Sequence, residues 1–418
     1  MLGWDSGGDP IQQTLWTRNF TLLIGATVLG AAGGIAGGFA LSFLVYDETG
    51  STLAAAVLIA IQVVPSFFIP LLAAPWMDRL PRKPVLVAGD ALNALLYGLA
   101  GLYLLRYPFS YLGYLLFSLL LSSLSAFDSL AFDSIFPKLI PAGREEQGYT
   151  VSGMVYPVLQ VVMMPAAAWL MKTVGVGWIL ILQGALSLLA AMLESRIQIK
   201  EENRMGGKRF SFRLWWSDIR EAAAYLRRER GLLNIFAYMA MTNGAAQGYG
   251  PLMVAFFRTA PGLSAALYAW FSVVEFAGRS LGGLFHYHVK LPEKRRFSFA
   301  FFVYQTYELM DVCLLWLPYP LMLLNRALCG FLGINSATLR QSAVQRYLPE
   351  EYRARINAFN AVLLSAAGAV LSLLVGALGE VLDYRLCVSI CGAAACLFCW
   401  ATIWRRRDDV RAVYDRAE

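Results

Sequence analysis

Long apolar runs alternate with short charged turns along almost the whole chain. Twelve of these runs reach about 20 residues, the length that a helix needs to cross the hydrocarbon core of a bilayer. The longest polar stretch, residues 196–230, separates the runs into two groups of six. The twelve runs are 19–46, 52–75, 84–105, 109–136, 146–171, 175–195, 231–257, 262–288, 297–316, 319–346, 354–380 and 385–404. The pattern predicts an all-α membrane protein with twelve transmembrane helices in two six-helix pseudo-repeats.

The same grouping predicts how the chain is organised. We expect, in order, a cytoplasmic N-terminal segment, a six-helix bundle, a cytoplasmic linker with an amphipathic helix, a second six-helix bundle and a cytoplasmic tail. Their bounds are 1–17, 18–196, 197–230, 231–404 and 405–418. In the linker, Trp215, Ile219, Ala222 and Leu226 fall on one helical face. A face of this kind is typical of a helix that lies on a membrane surface.

A weak internal repeat supports the division into two groups. At an offset of 208 residues, "FPKLIPAGRE" at 136–145 aligns with "VQRYLPEEYR" at 344–353. The same offset places Arg82 on Lys290, in equivalent turns of the two groups. Duplicated bundles are typical of secondary transporters, whose substrate site lies at the interface near the membrane midplane.

Composition and charge support a membrane protein. Hydrophobic residues make up 58% of the 418 residues and charged residues 15%, whereas a soluble chain has about 25% charged residues. Lys and Arg are enriched in short cytoplasmic loops. With the N-terminus inside, 28 of the 35 basic residues fall on the cytoplasmic side. We therefore expect a multi-pass protein of the cell (inner or plasma) membrane with both termini cytoplasmic, and a net charge that reflects topology instead of nucleic-acid binding.

The chain shows no motif for a cofactor, a metal or catalysis. The six cysteines lie inside apolar runs and form no metal-ligand set, and no phosphate-binding loop is present. Asp128 and Asp133 could suggest a pair of metal-binding carboxylates, but their spacing puts them about 140° apart on a helix. The sequence predicts a protein that is not an enzyme and that carries no cofactor or metal.

The densest group of charges lies in the turn between the second and third runs, "PWMDRLPRKP" at 75–84. With Asp78, Arg79, Arg82 and Lys83, it resembles the loop signature of the major facilitator superfamily, G-x-x-x-D-[RK]-x-G-[RK]-[RK]. The likeness extends along the chain, through "RNFTLLIGATVLGAAGG" at 18–34 and "LRQSAVQRYLPEEYRARINAFNAVL" at 339–363. Within the superfamily, the sequence resembles the branch of macrolide-type drug and siderophore exporters.

The resemblance implies a secondary active transporter that works by alternating access. We expect proton-coupled efflux of an amphipathic or hydrophobic small molecule. The alternative is a lipid or lysolipid flippase, or an amino-acid exporter, of the same fold. The implied partners are a small-molecule substrate, protons and membrane lipids, and the protein is expected to act as a monomer.

The resemblance also implies a conformational latch at the 75–84 turn. Asp78 would lie at the N-terminus of the eleventh span, where the helix dipole is positive. Arg82 would reach a carboxylate near the cytoplasmic end of the fourth span, where Asp133 lies. The alternative is that the four charged residues of this turn, which include Arg79 and Lys83, only direct the topology.

Charged residues inside the spans need a partner or a function, because each costs about 2.5–3.5 kcal/mol to insert at the membrane centre. Asp311 and Arg326 are expected at the same depth, as a structural ion pair. Glu275 and Arg279 lie one helical turn apart. Glu275 is therefore either a proton-coupling carboxylate or half of an intrahelical pair, and both alternatives stay open. Asp128 is the second candidate for proton coupling.

Polar and aromatic residues on the predicted cavity-lining spans are candidates for binding the substrate. An amide pair one turn apart can orient a ligand, and aromatic rings suit an apolar ligand. The candidates are Asn243, Gln247, Tyr238, Tyr156 and Trp270.

Two further patterns predict helix packing. Gly30, Gly34 and Gly38 repeat every four residues on the first span, which is typical of close contact between helices. Asp90 and Asn93 share a face of the third span. We expect them to fix packing near the latch.

Overall fold

The computed structural model describes residues 14–77, 81–141, 144–199, 212–288 and 292–415, and the described part of the chain is helical without any strand. Fourteen α-helices follow one another along it. They are α1 (Arg18–Thr49), α2 (Thr52–Met77), α3 (Arg82–Arg106), α4 (Tyr111–Leu139), α5 (Glu145–Thr173), α6 (Val176–Ser195), α7 (Phe212–Arg228), α8 (Arg230–Thr259), α9 (Ala265–His288), α10 (Glu293–Cys313), α11 (Tyr319–Tyr347), α12 (Glu350–Val381), α13 (Tyr384–Cys399) and α14 (Arg407–Tyr414).

Each predicted apolar run coincides with one long helix. The first six runs correspond to α1–α6 and the last six to α8–α13. Among the described residues, seven helical segments are long and apolar enough to cross a membrane: Arg18–Thr49, Arg82–Arg106, Tyr111–Leu139, Gln147–Thr173, Val176–Ser195, Arg355–Val381 and Tyr384–Trp404. These segments indicate a multi-pass membrane protein and confirm the all-α fold class. The count of twelve crossings stays a prediction.

Local signals in the sequence set several helix ends. The Thr17 hydroxyl accepts a hydrogen bond from the Phe20 N–H at the start of α1. Gly50 ends α1 in the left-handed conformation, with φ of 63°, a geometry that glycine adopts without steric cost. The Asp383 carboxylate accepts a hydrogen bond from the Arg385 N–H and caps α13. The turns at residues 50–51 and 382–383 are therefore short and well defined.

The helix bounds agree with the internal repeat. α4 spans Tyr111–Leu139 and α11 spans Tyr319–Tyr347, so both ends of the second helix lie 208 positions after those of the first. The helices pack in two groups that follow the chain order, α1–α6 and α8–α13. We call them the first and second helix groups.

Small residues let helices approach each other closely within each group. A Cβ atom on Gly101 of α3 would lie 2.6 Å from the Gly177 carbonyl oxygen of α6. In the second group, a Cβ atom on Gly278 of α9 would lie 2.0 Å from the Ala327 carbonyl oxygen of α11. Side chains larger than hydrogen are excluded at these crossings, because real Cβ atoms do not come within 3 Å of such neighbours.

Two short amphipathic helices pack at the same end of the second group, beside the start of α8. The predicted linker helix is α7, which buries Leu226 against α8 and α12 and pairs Glu221 with Arg355 at 2.5 Å. α14 lies in the predicted C-terminal tail, where no helix was expected. Its Tyr414 is buried, and the Tyr414 and Tyr304 hydroxyl groups share a 2.5 Å hydrogen bond.

Candidate functional site

A cavity of about 1360 Å³ lies between the two helix groups. α1–α6 supply most of its wall, and the second group contributes residues of α8 and α9. The wall on α4 carries a column of hydroxyl groups: Ser118, Ser122, Ser125 and Ser129. The side-chain amide of Gln62 in α2 donates a hydrogen bond to Ser118 at 2.8 Å.

One end of the bundle is closed by polar contacts between the two groups. We call it the closed end; it carries the turns at residues 50–51, 260–264 and 382–383. Arg258, at the end of α8, forms a bidentate ion pair with Asp47, at the end of α1. The hydroxyl groups of Tyr46 and Tyr384 share a hydrogen bond at 2.9 Å. These contacts join α1 to α8 and α13.

A carboxylate of the second group caps the start of a helix in the first group at the closed end. Glu380 of α12 accepts hydrogen bonds from the Ser51 hydroxyl at 2.8 Å, the Thr52 hydroxyl at 3.1 Å and the Leu53 N–H at 2.9 Å. An anion at a helix N-terminus is favoured by the unpaired N–H groups and the helix dipole. Glu380 therefore holds α2 against α12.

Apolar packing completes the closed end. Phe39 and Phe43 of α1 form one buried cluster with Ala167 of α5, Val254 of α8 and Ala269 of α9. Tyr268 of α9 packs against both phenylalanine rings, with ring centroids 6.1 and 5.8 Å apart. Phe39, Phe43, Val254 and Tyr268 also line the cavity, so the cluster forms part of its wall near the closed end.

The glycine stripe of α1 faces the cavity instead of a neighbouring helix. Gly30, Gly34 and Gly38 line the cavity, and a Cβ atom added to any of them would meet nothing within 4 Å. The expectation of close packing at this stripe was wrong. Close packing occurs one position away: a Cβ atom on Gly37 would lie 1.7 Å from Gln183 Oε1 of α6. Gly30, Gly34 and Gly38 therefore widen the cavity, because they carry no side chain on the face of α1 that lines it.

Three carboxylates line the α3, α4 and α6 side of the cavity. They are Asp90 of α3, Asp128 of α4 and Glu194 of α6. Asp128 Oδ1 is 3.2 Å from the position that a Cβ atom would occupy on Gly89. We call these three residues the carboxylate branch. Asp90 therefore belongs to the cavity wall, beyond the packing role that the sequence predicted for it.

Buried oxygen atoms along this side have no hydrogen-bond partner within the described part of the chain. They are Asp128 Oδ1, Glu194 Oε2 and Gln183 Oε1, and the Tyr114 hydroxyl shares this property. The side chains of Glu194 and Gln183 are each only 4% exposed. Such groups cost free energy unless a ligand or water satisfies them.

Four of the predicted site residues lie in the cavity wall. Asp128 and Asp133 of α4, Tyr156 of α5 and Gln247 of α8 all line it. Gln247 also packs against α12, because a Cβ atom on Gly368 would lie 2.6 Å from its amide nitrogen. The structure therefore brings together one proton-coupling candidate, one latch carboxylate and two substrate candidates.

The remaining cavity candidates lie outside the lining that the structure describes. Tyr238 is buried inside the second group, where its hydroxyl donates a 3.1 Å hydrogen bond to Glu308. Asn243 donates to the Met239 carbonyl oxygen of its own helix at 2.8 Å. Trp270 is 49% exposed on α9. Sequence reasoning placed these residues on the right helices but could not fix the rotation of each helix about its axis.

Both predicted charge pairs are in contact. Arg279 donates to Glu275 at 2.6 Å, one turn away on α9, and the pair is not part of the described cavity lining. Arg326 of α11 donates to Asp311 of α10, and both side chains are nearly buried. The Glu275 and Asp311 charges are thus compensated within the second group.

The latch residues are described only in part. Asp78 and Arg79 lie outside the described residues. Arg82 and Lys83 form the first turn of α3, and Asp133 lies in the last two turns of α4. The latch stays a prediction.

Sequence reasoning missed the residues that close one end of the bundle and part of the carboxylate branch. Glu194 and Gln183 are polar residues inside an apolar run, and this signal could have identified them. Asp47, Arg258 and Glu380 lie at run boundaries, where charges are common. Nothing in the sequence indicates that Asp47 pairs with Arg258, or that Glu380 caps the start of α2, across the two groups.

A polar cavity between two six-helix groups, closed at one end, is the arrangement of a helical-bundle transporter. The family model of the Major Facilitator Superfamily matches residues 22–304. The chain belongs to this superfamily, and the resemblance noted at the 75–84 turn is confirmed at that level. The family indicates a transporter of small molecules, not an enzyme.

Solved structures of transporters share the fold. A bacterial homologue of the human lysosomal transporter Spinster, inward-facing and unoccupied, matches over 96% of this chain and 94% of its own, with 14% identity and a TM-score of 0.61. The nucleoside transporter NupG matches over 93% and 99%, with 11% identity and a TM-score of 0.69. The peptide transporter POT in complex with sulfate matches over 97% and 98%, with 11% identity and a TM-score of 0.69. A comparison with the sequences of curated proteins gave no significant match.

Proposed function

We propose that the protein exports an amphipathic or hydrophobic small molecule in exchange for protons, by alternating access. The observation that carries this proposal is the cavity, which is closed at one end by bonds between the two helix groups. Its volume of about 1360 Å³ exceeds the roughly 300–1,000 Å³ of typical ligand pockets. Its wall combines apolar, hydroxyl and carboxylate side chains, which suits an amphipathic substrate.

We assign the closed end to the outside of the cell, so that the structure represents an inward-facing state. The turns at the closed end follow the first, seventh and eleventh runs, which the distribution of Lys and Arg places outside. Export then requires the closed-end contacts to break while the two groups meet at the opposite end. The likeness to macrolide-type drug and siderophore exporters supports this direction.

We assign proton coupling to Asp128 in preference to Glu275. Asp128 lies in the cavity wall with one carboxylate oxygen free of any described partner. Glu275 is paired with Arg279, and neither residue is part of the described lining. A carboxylate that faces the cavity can exchange protons with water on whichever side the cavity opens, which is the requirement for coupling.

Transport in inside-out vesicles with an imposed pH gradient tests the proposal. We expect gradient-driven uptake of at least one compound from a panel of drugs, siderophores, amino acids and lysolipids, and an uncoupler should abolish it. Asp128→Asn should lose gradient-driven uptake, because the amide cannot carry a proton. Glu275→Gln is the matched control, because it changes a carboxylate of the second group in the same way. This variant should retain gradient-driven uptake.

Three results would contradict parts of this proposal. Uptake that is independent of the pH gradient would exclude proton coupling. Gradient-driven uptake by Asp128→Asn, with loss in Glu275→Gln, would move the coupling to the second group. Movement of lysolipids alone would favour the flippase alternative over export of soluble compounds.

A further inference from the structure

A group of exposed basic side chains lies where α13 leads into α14, at the end of the bundle opposite the closed end. Arg405, Arg406 and Arg407 follow one another there, and all three are exposed. Within the described part of the chain, none of the three takes part in an ion pair. We call the segment from Trp400 to Arg407 the α13–α14 corner. Its surface is positively charged, because these guanidinium groups are not compensated by a described carboxylate.

Aromatic rings lie directly beside these arginines. The indoles of Trp400 and Trp404 pack on each other with ring centroids 5.3 Å apart, and both contact the Phe301 ring of α10. The Trp400 N–H donates to Gln305 Oε1 at 2.7 Å, which fixes this indole between α10 and α13. The Arg407 guanidinium lies 5.3 Å from the centroid of the Trp404 ring. Tryptophan rings next to basic side chains are typical of the region where a protein leaves the cytoplasmic face of a membrane.

The backbone widens at the corner and leaves one indole donor available to a ligand. The Arg405 N–H donates to the Trp400 carbonyl oxygen, five residues earlier, at 2.9 Å, so residues 400–404 form a π turn. Such turns are rare and are often found at functional sites. Trp404 is 36% exposed, and its indole N–H makes no hydrogen bond to the described residues. The corner therefore offers an N–H donor in addition to its three charges.

The carboxylates that come next in the sequence lie on other faces of α14. Asp408 and Asp409 are about 100° and 200° around the helix from Arg407, whereas Arg411 is about 40° from it. Arg411 is compensated by Asp415 at 3.8 Å. The uncompensated positive charge is therefore that of the corner, and an anionic ligand fits there.

An apolar surface continues from the corner along the outside of α10 and α13. Phe302 and Leu309 of α10 are each 60% exposed, and Leu397 of α13 is 72% exposed. The segment Tyr384–Trp404 is long and apolar enough to cross a membrane, so these exposed side chains meet acyl chains. A ligand that fills the whole surface needs an anionic part at the corner and an apolar part along the two helices.

We propose that the α13–α14 corner binds an anionic phospholipid, with its phosphate on the three arginines and its acyl chains along α10 and α13. Guanidinium groups bind phosphate oxygens through paired hydrogen bonds, and the Trp404 N–H donates to the same headgroup. The assignment of the closed end to the outside places the corner at the cytoplasmic leaflet, where anionic lipids are concentrated. The site lies outside the cavity and goes beyond the proposed export function. A free phosphate ion would leave the apolar surface uncovered.

Native mass spectrometry of the purified full-length protein measures this binding without a substrate or an ion gradient. The probes are dioleoyl phosphatidylglycerol, dioleoyl phosphatidylcholine and inorganic phosphate. The two lipids share their phosphate and acyl chains and differ in net charge. We expect phosphatidylglycerol to bind about tenfold more tightly than phosphatidylcholine, and an excess of phosphate to leave it bound. Equal binding of the two lipids, displacement by phosphate, or a protein dimer that excludes the lipid would overturn the inference.

Two double variants separate a defined site from diffuse attraction to basic residues. Arg405→Gln with Arg407→Gln should weaken binding of phosphatidylglycerol about tenfold, because two charges near the headgroup are lost. Arg227→Gln with Arg228→Gln is the matched control. It removes the same charge from exposed residues of α7, which packs at the same end of the second group, and should bind the lipid like the wild type. Equal weakening in the two double variants would also overturn the inference.

A conservative variant tests the indole donor by itself. Trp404→Phe keeps an aromatic ring and removes the N–H, so binding of phosphatidylglycerol should weaken about threefold. Trp178→Phe changes an exposed tryptophan at the start of α6 in the same way and should have no effect. Unchanged binding in Trp404→Phe together with unchanged binding in the arginine double variant would place the lipid elsewhere and overturn the inference.

The lipid site and the proposed function can fail separately. Protein that binds phosphatidylglycerol selectively but shows no gradient-driven uptake would contradict the proposed function alone. Protein that shows gradient-driven uptake but binds the two lipids equally would contradict the lipid site alone.

Discussion

Asp311 and Arg326 form an ion pair inside the second helix group. Their side chains are only 6% and 12% exposed, and the amide of the neighbouring Asn325 donates to the Met310 carbonyl oxygen at 2.9 Å. A buried pair of this kind adds little net stability over apolar residues, but removal of one partner leaves a buried charge without compensation. The pair therefore makes the packing of α10 against α11 dependent on both residues.

Asp311→Asn should destabilise the protein by about 3–5 kcal/mol, because Arg326 would remain charged in a buried site. The double substitution Asp311→Leu with Arg326→Met should recover most of this loss. Thermal unfolding in detergent measures both effects. Glu221→Gln, which breaks the exposed pair with Arg355, is the control and should change stability by less than about 1 kcal/mol. A small effect of Asp311→Asn would show that the pair is dispensable.

α2 and α12 contact each other across the two helix groups at the closed end. Glu380 caps the first turn of α2, and Thr52 also donates to the Gly376 carbonyl oxygen at 2.8 Å. A Cβ atom on Gly376 would lie 2.5 Å from Ala56 Cβ, so the two helices meet without a side chain between them. Opening of this end must break these contacts together, because they join the same two helices.

Glu380→Gln should shift the protein toward the state in which the closed end is open. The amide keeps the shape but loses the charge-assisted bonds, at a cost of about 1 kcal/mol, roughly a fivefold change in population. Distance measurements between spin labels on the exposed residues Tyr107, just after α3, and Leu386, in the first turn of α13, check this shift. Glu48→Gln, a change of the same kind near the end of α1, is the control. An unchanged distance distribution in Glu380→Gln would exclude a gating role for the cap.

Alternating access requires that the two ends of the bundle close in turn. The closed end is held by Asp47 with Arg258 and by Glu380 at the start of α2. The predicted latch at the 75–84 turn would use the same physical device at the opposite end, with Asp78 at a helix N-terminus of the other group. We propose that the two devices compete, since each stabilises one of the two states.

Asp78→Asn and Arg82→Ala should slow transport strongly and leave substrate affinity nearly unchanged, because a latch biases the conformations without touching the ligand. The measurement compares transport rates with equilibrium binding in the same preparations. Lys138→Ala, a basic residue near the end of α4, controls for the loss of a positive charge. Wild-type transport rates in both variants would contradict the latch and would favour the alternative that the charged residues of this turn only direct the topology.

The apolar periodicity and the charged turns were sufficient to predict the all-α fold class, the position of each long helix and the superfamily. These features depend on short stretches of the sequence. A run of apolar residues must lie in lipid or in a protein core, whatever the arrangement of the neighbouring helices. The 208-residue repeat and the partners Asp311 and Arg326 also followed from the sequence, because depth in a membrane can be counted along a helix.

Only the tertiary structure decided which face of each helix lines the cavity. The glycine stripe of α1 turned toward the cavity, and Tyr238 turned toward Glu308. A rotation of a helix about its axis depends on the neighbouring helices, and in lipid both faces are apolar, so the hydrophobic pattern does not fix it. The carboxylate branch and the contacts of Glu380 join residues far apart in the chain. Their physical basis is the packing of helices from different parts of the sequence, which no local pattern encodes.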